Sequence, residues 1–444
     1  MSSKKKLIKD IVCPFCGSNC DDIECEVEDG KIINVYNACS VGTANFIPAA
    51  GAERFTQPLW RENKADEFKP ISWDEALEKA ADIMVKAKRP LWFGWSETSI
   101  NAIREGIKLA EMTGGIIDGQ VTHCHGPSVQ AIQMVGYPSC TLGDVKNRAD
   151  VIVHWGCNPL NAHPRHMSRY TAFTRGFFRE DGRTDRTLIS VDPRFSDTAK
   201  VADKFYQVRL GEDYEVFQAL RAVLNGMELE QDDIGGLTKE EVVELAEMMK
   251  KANFGVIFFG LGLTHSIGKA QNISSAIELT QLLNKWSKWS IMPLRGHYNV
   301  TGLNMVLSWV TGYPYAVDYS RGYPRYNVGE YSTVEMLAEG QIDAMLSIAV
   351  DPGDHLPQKC VKQMAKIPLI ACDIHPTGTT ELANLIIPGT HDGIETEASS
   401  YRMDGVPIHM KQVIAPPEGC MPSNAYWLKK LTELVSARLE AVEE

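Results

Sequence analysis

Along most of the chain, short apolar runs alternate with stretches in which apolar residues recur every three or four positions. The first pattern predicts buried parallel strands, and the second predicts amphipathic helices. The predicted strands lie in RPLWFGW, GGIIDG, ADVIVHWG, RTLISVDP, FGVIFFG, KWSIMPL, DAMLSIAVDP and IPLIACDI. The predicted helices lie in DEALEKAADIMVKA, DYEVFQALRAVL, KEEVVELAEMMKKA, SSAIELTQLLNKW and WLKKLTELVSARLEAVEE. This alternation predicts an α/β fold with doubly wound sheets, whose ligands bind at the C-terminal ends of the strands.

The N-terminal segment has a different pattern. The stretch DDIECEVEDGKIINVYN alternates apolar and polar residues around Asp29-Gly30, which predicts a β-hairpin. Five of the eleven cysteines also fall within residues 1–57. We therefore predict a small cysteine-rich β module that ends near Gln57-Pro58.

Composition narrows the class of protein. Hydrophobic residues make up 44% of the 444 residues and charged residues 23%, so the chain can bury a large core. The net charge of −12 excludes nucleic-acid binding through a bulk positive field, and no apolar run reaches the ~20 residues of a membrane helix. The N-terminus lacks the apolar core of an export signal, and eleven cysteines are too sparse for a disulfide scaffold. We expect a cytoplasmic protein with reduced or metal-binding thiols, no membrane span and no nucleic-acid partner.

Four cysteines near the N-terminus have the spacing of a metal site. Cys13, Cys16, Cys20 and Cys39 form the pattern C-x2-C-x3-C-x18-C, which suits the corners of a [4Fe–4S] cubane. The alternative is a structural zinc site, but the second closely spaced pair that is usual in zinc ribbons is missing. Cys25 competes for the fourth position, although it falls in the middle of a predicted strand.

A fifth cysteine follows a short predicted strand. Cys124 lies between His123 and His125 on a loop that Gly126-Pro127 ends before the next helix. Flanking imidazoles can lower the pKa of a thiol and supply protons, although a lone cysteine is more often a small buried apolar residue. The cysteines in no comparable setting, which we interpret as structural, are Cys140, Cys157, Cys360, Cys372 and Cys420.

Short polar residues follow several predicted strands. The sequence contains neither a Gly-x-Gly-x-x-Gly after a strand nor a phosphate-binding P-loop, which disfavours nicotinamide and nucleoside triphosphate ligands. Carboxylates, arginines and helix N–H groups at strand ends can instead bind ribose, guanine and pyrophosphate. Each alone also suits a loop cap, but together they predict a large nucleotide-bearing ligand. These candidates are Gly156, Asn158, Asp192, Arg194, Gly262, Asp351, Asp373 and His375.

Segments spread over nearly the whole chain resemble the molybdopterin oxidoreductase superfamily. More narrowly, the chain resembles the tungsten- or molybdenum-containing B subunits of formylmethanofuran dehydrogenases. The strand followed by Asp192-Pro193-Arg194 is general to the superfamily, whereas the CHGPS and RGHYN blocks are specific to these subunits. The segments that carry the resemblance are CPFCGSNCDDIE, HCHGPSVQAIQMVGYP, KNRADVIVHWGCNPLNAHPRHMSRY, RTLISVDPR, FFGLGLTHS, LRGHYNVTGLN, GYPYAVDYS and TTELANLIIPGTHDGIETEASSYRMDGVPI.

This resemblance implies a specific centre. Two pterin guanine dinucleotides would hold tungsten or molybdenum, with Cys124 as the protein's thiolate ligand and an inorganic sulfide completing the shell. His125, Arg295 and His297 would line the substrate pocket, and the [4Fe–4S] cluster would pass electrons to the pterin. Without the resemblance, Arg295 suits a salt bridge at a strand end and His297 a satisfied core histidine.

The implied reaction is the two-electron reduction of CO2 to formate, which a partner subunit then condenses with methanofuran. Arg295 would stabilise the growing carboxylate charge, and His125 would donate a proton or a hydrogen bond. Two alternatives are a formate dehydrogenase of the same superfamily and an electron-transfer scaffold without the metal. A scaffold has no need of a thiolate at position 124.

The resemblance also implies the domain organisation and the partners. We expect an iron–sulfur β module over 1–57, a pterin-binding α/β domain over 58–125 and 298–444, and a second such domain over 126–297. Two departures stand out: Val41-Gly42 replaces the Lys-Gly of many superfamily members, and the C-terminal pterin-binding β-barrel is absent. We therefore expect a partner that supplies the barrel, together with an amidohydrolase subunit and polyferredoxin-type subunits.

Overall fold

The computed structural model describes residues 5–47 and 53–443. Residues 1–4 and 48–52, which belong to the predicted N-terminal module, and residue 444 lie outside the described residues. The strands are β1 Lys6–Ile11, β2 Ile23–Glu28, β3 Lys31–Tyr36, β4 Leu59–Trp60, β5 Lys69–Pro70, β6 Pro90–Gly94, β7 Ile116–Gly119, β8 Val151–Trp155, β9 Thr187–Val191, β10 Lys204–Tyr206, β11 Asp233–Ile234, β12 Leu237–Thr238, β13 Phe254–Phe259, β14 Lys288–Pro293, β15 Val317–Asp318, β16 Arg325–Tyr326, β17 Ala344–Ile348, β18 Leu369–Asp373, β19 Leu385–Pro388, β20 Ala398–Tyr401 and β21 Pro407–Met410.

Helices connect most of these strands. The helices are α1 Ser40–Phe46, α2 Trp73–Lys86, α3 Ile100–Met112, α4 Gly126–Val135, α5 Leu142–Arg148, α6 Pro159–Ala162, α7 His166–Arg169, α8 Asp197–Lys200, α9 Asp213–Leu224, α10 Lys239–Lys250, α11 Leu261–Thr264, α12 Ala270–Leu283, α13 Val300–Thr311, α14 Thr333–Ala338, α15 Pro352–His355, α16 Gln358–Met364, α17 Gly378–Leu382 and α18 Asn424–Glu443. No helix of the described part of the chain is long and apolar enough to cross a membrane.

The chain divides into two compact units. Unit 1 comprises residues 1–123, 297–402 and 407–444, and unit 2 comprises residues 124–296 and 403–406. The sequence analysis placed boundaries at 125/126 and 297/298, and these stay predictions. The N-terminal residues, which the sequence assigned to a separate module, belong to unit 1 in this division.

Unit 2 contains a five-stranded parallel sheet with the strand order β10-β9-β8-β13-β14. Its central strands are continuous apolar runs because helices cover both faces of a parallel sheet. Helices α9, α10 and α12 supply part of the core, through residues such as Phe217, Leu245 and Ile277. The order reverses between β8 and β13, so a crevice opens at the C-terminal ends of these two strands.

Unit 1 contains a nine-stranded sheet with the order β16-β15-β7-β6-β17-β18-β19-β4-β5. Its five central strands, from β7 to β19, run parallel, and the outer pairs are antiparallel. In this sheet the order reverses between β6 and β17, which places a second crevice at their C-terminal ends. A separate three-stranded antiparallel sheet, β1-β2-β3, includes the predicted hairpin, whose turn is Asp29-Gly30.

The structure confirms the predicted α/β fold class. Each of the eight predicted strand segments and each of the five predicted helical segments contains an element of the expected type. The sheets of the described residues are open, and none closes into a barrel. The sequence analysis did not predict β1 or the two-residue strands at the edges of the nine-stranded sheet.

Candidate functional site

The four spaced cysteines come together at one place in unit 1. Cys13 and Cys20 are joined by a backbone hydrogen bond of 2.9 Å, which closes the loop between them. Cys39 caps helix α1, and its Sγ accepts a hydrogen bond from Gly42 N at 3.4 Å. A Cβ at Gly42 would lie 3.6 Å from Cys13 Sγ and 3.9 Å from Cys39 Sγ, so both thiols face this glycine.

The electrostatics of this loop agree with its geometry. Burial raises the pKa of the Cys13 thiol well above its ordinary value, and the thiols of the other three cysteines raise it further. Cys25 is buried in β2, and burial alone raises its pKa to about 12. Within residues 5–47 and 53–443, no three His, Cys, Asp or Glu side chains are grouped as around a single metal ion. The ligand assignment therefore stays a prediction.

Cys124 and His125 line a cavity of about 450 Å³ at the switch point of the unit 2 sheet. They lie between a 3-10 turn at Gln120–His123 and helix α4, which Pro127 helps to begin because its φ is already helical. The His125 ring lies 2.9 Å from Ser128 Oγ through Nδ1. The cavity wall continues through the loops after β8 and β13 and through the end of β14.

Arg295 follows β14, between two residues that line this cavity. It is buried, and its charge lowers the pKa of both Cys124 and His125. Burial has the largest effect on both pKa values: it raises that of Cys124 to about 11 and lowers that of His125 to about 3. The structure therefore brings these three predicted residues together around one cavity, with a neutral imidazole at neutral pH.

Two glycine loops form the floor of the crevice. Gly156 has a positive φ of 57°, and a Cβ there would lie 3.0 Å from Gly262 Cα. A Cβ at Gly262 would lie 2.6 Å from Gly156 Cα, so neither position has room for a side chain. The loops after β8 and β13 consequently pack backbone against backbone, and their polar groups border the crevice.

The other predicted cofactor residues of unit 2 lie on the same edge. Asn158 and Arg194 line the cavity. Asn158 Oδ1 accepts a hydrogen bond of 2.7 Å from Thr198 Oγ1, which ties the β8 loop to helix α8. Asp192 Oδ1 accepts one of 2.9 Å from Arg194 N, and burial raises the pKa of Asp192.

Unit 1 has its own cavity, of about 200 Å³, at the C-terminal ends of β17 and β18. Phe15, from the loop between Cys13 and Cys16, contributes to its wall. Asp373 also lines it, and burial raises the pKa of Asp373 to about 6. Two residues that the sequence analysis missed are Tyr298 and Asp392, whose side chains are joined by a hydrogen bond of 3.0 Å.

Asp351 and His375 also follow strands of the unit 1 sheet. Both carboxylate oxygens of Asp351 are occupied at the start of helix α17: Oδ1 accepts from Thr379 and Oδ2 from Gly378 N. Asp351 thus has the loop-cap geometry that the sequence analysis gave as its alternative. His375 lies after β18 and is near His391, whose pKa burial lowers to about 3.

His297 belongs to unit 1, whereas Cys124, His125 and Arg295 belong to unit 2. Its Nδ1 lies 2.7 Å from Glu97 Oε1. Burial lowers the pKa of His297, but the hydrogen bond and charge of Glu97 outweigh burial and raise it. His297 therefore forms an ion pair with Glu97. It is not the satisfied core histidine that the sequence analysis gave as the alternative, and it does not line the unit 2 cavity.

The sequence analysis missed His163, which lines the cavity of Cys124 and is almost fully buried. Its Nε2 lies 2.7 Å from the backbone oxygen of Arg295. The signal available in the sequence was a histidine followed by proline in the loop after a buried strand. Nothing in that spacing identifies a partner 132 residues away.

Comparisons with known proteins agree with this architecture. The family described as molybdopterin oxidoreductase matches residues 54–425. The chain is 53% identical to the B subunit of the tungsten-containing formylmethanofuran dehydrogenase 2 of Methanocaldococcus jannaschii, over 97% of this chain and 100% of that protein. It is 48% identical to the protein of the same description from Methanococcus maripaludis, over 97% and 99%. Formate dehydrogenase H of Escherichia coli is 23% identical, over 87% of this chain and 63% of that one.

Two solved structures share the fold. The acetylene hydratase of Pelobacter acetylenicus superposes with a TM-score of 0.75 at 15% identity, covering 97% of this chain and 69% of that one. A chain of the formyltransferase/hydrolase complex of Methylorubrum extorquens superposes with a TM-score of 0.69 at 19% identity, covering 86% and 99%. These likenesses extend to the fold alone. On the strength of the family match and of two near-full-length relatives, the chain is an oxidoreductase of the molybdopterin oxidoreductase family and belongs with the B subunits of tungsten-containing formylmethanofuran dehydrogenases.

Proposed function

We propose that this chain is the bis(molybdopterin guanine dinucleotide) subunit of a formylmethanofuran dehydrogenase and that it reduces CO2 to formate. The single observation that carries the proposal is the cavity that Cys124 and His125 share at the switch point of unit 2, with Arg295 on its border. The relatives at 53% and 48% identity, named for the same enzyme, support it.

The chain's residues fit such a cofactor. The glycine loops leave no side chain between the backbone and the crevice, which suits close approach of a pyrophosphate. In unit 2, Gly156, Asn158, Asp192, Arg194 and Gly262 would hold one dinucleotide. In unit 1, Asp373 and His375 would hold the other, whereas both carboxylate oxygens of Asp351 are already bonded at the start of helix α17. Cys124 offers the soft thiolate that suits tungsten or molybdenum, and the bound group would supply the two electrons of the reaction.

Arg295 would stabilise the negative charge that develops on the substrate, beside the ring of His125. The net reaction consumes CO2, one proton and two electrons and yields formate, so negative charge appears on two carboxylate oxygens. A guanidinium can donate paired N–H bonds to both oxygens, and burial strengthens this interaction because water does not compete. With its pKa lowered to about 3, the His125 ring is neutral, and its bonds to Ser128 and to the Leu294 backbone would hold it as an uncharged wall of the substrate pocket.

The cysteine loop of unit 1 would carry the [4Fe–4S] cluster that feeds these electrons. A zinc ion bound at 2.3 Å by four sulfurs requires sulfur–sulfur distances of about 3.8 Å, whereas the four corners of a cubane hold their thiolates farther apart. Cys13 is influenced by the thiols of Cys16, Cys20 and Cys39, yet the described residues form no cluster around a single ion. The spacing C-x2-C-x3-C-x18-C, which lacks the second closely spaced pair of a zinc ribbon, favours the cubane. Val41, two residues after the fourth ligand, replaces the lysine of many superfamily members, so that relay would be absent or come from elsewhere.

Formate made at Cys124 would be condensed with methanofuran in an amidohydrolase subunit. A second partner would supply the pterin-binding barrel, and polyferredoxin-type subunits would deliver electrons to the cluster. We further propose a cytoplasmic location, in which the eleven cysteines, all free thiols in the structure, would stay reduced.

The test is metal analysis and product analysis of the purified complex. The proposal predicts tungsten or molybdenum near one per chain and iron near four from the cluster of this chain. It also predicts formylmethanofuran from CO2, methanofuran and a low-potential donor. An electron-transfer scaffold would contain iron without the heavier metal. A formate dehydrogenase would release free formate whether or not methanofuran is present.

A further inference from the structure

The backbone that carries Arg295 is fixed at successive residues. Leu294 N donates a hydrogen bond of 2.8 Å to Phe259 O, which extends the pairing of β13 and β14 by one residue. The Leu294 backbone also hydrogen-bonds to the His125 ring. At the next residue, the Arg295 carbonyl oxygen lies 2.7 Å from His163 Nε2. Two buried histidines therefore hold two consecutive residues of this loop.

The direction of the His163 bond is fixed by chemistry. A carbonyl oxygen can only accept, so Nε2 carries the hydrogen and Nδ1 is the unprotonated ring nitrogen. No group of the described residues hydrogen-bonds to Nδ1, which is fully buried. Burying an imidazole whose second ring nitrogen has no hydrogen-bond partner is costly. The bond to Arg295 O is the polar interaction of the His163 ring that offsets part of this cost.

We propose that His163 is a positioning residue for Arg295: by holding the Arg295 carbonyl it fixes the point from which the guanidinium meets the substrate carboxylate. This inference rests on the proposed function. A guanidinium displaced by about 1 Å loses the paired geometry that carboxylate recognition requires, which can reduce the rate on the order of 100-fold. Because His163 acts through the backbone of Arg295, its role requires the N–H donor of the ring and does not require a charge on the ring.

The chain offers a matched control. His166 is as deeply buried as His163 and lies nearby, with its ring 4.6 Å from that of Phe258. Neither of its ring nitrogens has a hydrogen-bond partner in the described part of the chain, and it makes no bond to the Arg295 loop. His166→Leu therefore measures the cost of losing a buried imidazole in this region without releasing Arg295.

The experiment compares His163→Leu, His163→Gln and His166→Leu in the intact complex. Glutamine keeps an N–H donor at the end of a side chain of similar length, whereas leucine has none. Hydrogen–deuterium exchange of the peptide that contains residues 294–296 is followed by mass spectrometry. KM and kcat for formate oxidation are measured alongside the metal content.

We expect His163→Leu to speed exchange of this peptide by about 10-fold or more, because the loop opens more often once the Arg295 carbonyl is released and each opening breaks the bond of Leu294 N to Phe259 O. We also expect it to raise KM for formate and to lower kcat/KM by about 10- to 100-fold at normal metal content. His163→Gln should recover most of both losses, and His166→Leu should leave both at wild-type values. Unchanged exchange in His163→Leu, or equal changes in His166→Leu, would overturn the inference. A wild-type complex without formate or CO2 turnover would instead refute the proposed function, and the exchange comparison would still decide the role of His163.

Discussion

At the scale of single residues, Cys124 differs from Cys157, which lines the same cavity, because Arg295 acts on Cys124. Cys360 is buried among apolar side chains, as lone cysteines usually are. Cys124 lies at the wall of a cavity with His125 and within the influence of a buried arginine. The flanking histidines made this distinction available from the sequence, but the convergence with Arg295 depends on the fold.

Replacing Arg295 by lysine should reduce kcat/KM for formate by about 100- to 1,000-fold. Lysine keeps the positive charge but loses the fork that donates to two carboxylate oxygens at once. The measurement is steady-state formate oxidation at matched metal content. Arg221→Lys serves as the control, because Arg221 pairs with Glu278 on another part of unit 2 and should leave the rate unchanged. Full activity of Arg295→Lys would remove Arg295 from the reaction.

The Glu97–His297 pair should stabilise the protein at low pH, where His297 is protonated. The pKa of His297 is raised in the folded chain, so the folded state binds the proton more tightly than the unfolded chain does. The contribution is fully present below the ordinary histidine pKa and is lost as pH rises through the raised value. Because both side chains are more than a third exposed, it should be under about 1 kcal/mol.

Glu97→Gln tests this pH dependence. The difference in Tm between wild type and Glu97→Gln should be largest near pH 6 and should vanish at alkaline pH. The His297→Gln variant lacks the titrating group. In that variant, the further substitution Glu97→Gln should change Tm by an amount that does not depend on pH. A difference that grows with pH would contradict the assigned pair.

At the scale of elements, burial decides what the sequence can predict. The central strands of both sheets are largely apolar because helices cover both faces, and all of them except β19 were predicted. Strand β1 was missed because it is mostly exposed and its sequence, KLIKDI, shows no regular alternation of apolar and polar residues. The two-residue strands β15 and β16 form only because they pair with a neighbouring strand, and no local sequence pattern predicts such pairing.

Gly262→Ala should disrupt the floor of the crevice. Its methyl group would lie 2.6 Å from Gly156 Cα and 2.7 Å from Gly156 O, which are backbone atoms that cannot rotate away. We expect reduced tungsten or molybdenum content with iron retained, measured by elemental analysis. Gly143→Ala is the matched control, because that glycine lies in helix α5 and its new methyl group would make one contact of 3.4 Å. Normal metal content in Gly262→Ala would show that the loops tolerate separation.

A buried ion pair ties the N-terminal segment of unit 1 to the segment after β19. Arg54 and Glu395 lie 2.6 Å apart with side chains 2% and 0% exposed, and Arg54 also donates to Gly389 O. Removing one partner leaves an uncompensated buried charge, so Glu395→Gln should lower the free energy of unfolding by about 3–5 kcal/mol. Chemical denaturation measures this change.

The control for that prediction is an exposed pair. Glu247→Gln breaks the pair with Lys250 on helix α10 and should cost less than about 1 kcal/mol. Equal effects of the two substitutions would mean that water reaches the Arg54 pair.

At the scale of the whole molecule, the five-stranded and the nine-stranded sheet each have a switch point and a cavity of their own. The sequence predicted doubly wound sheets because strand and helix patterns alternate along the chain. It did not predict the order of the strands, since order depends on how the helices pack and not on any single segment. The cysteine loop was predicted from spacing, whereas His163 was not, because its partner is set by tertiary structure alone.

The central claim is that the Cys124 sulfur is a ligand of tungsten or molybdenum. X-ray absorption at the edge of the bound metal counts its sulfur neighbours directly, in the wild-type complex and in Cys124→Ala. We predict that the variant has one sulfur neighbour fewer, or binds none of this metal, while the iron of the cluster stays at about four per chain. An unchanged sulfur count at full metal content in Cys124→Ala would contradict the claim.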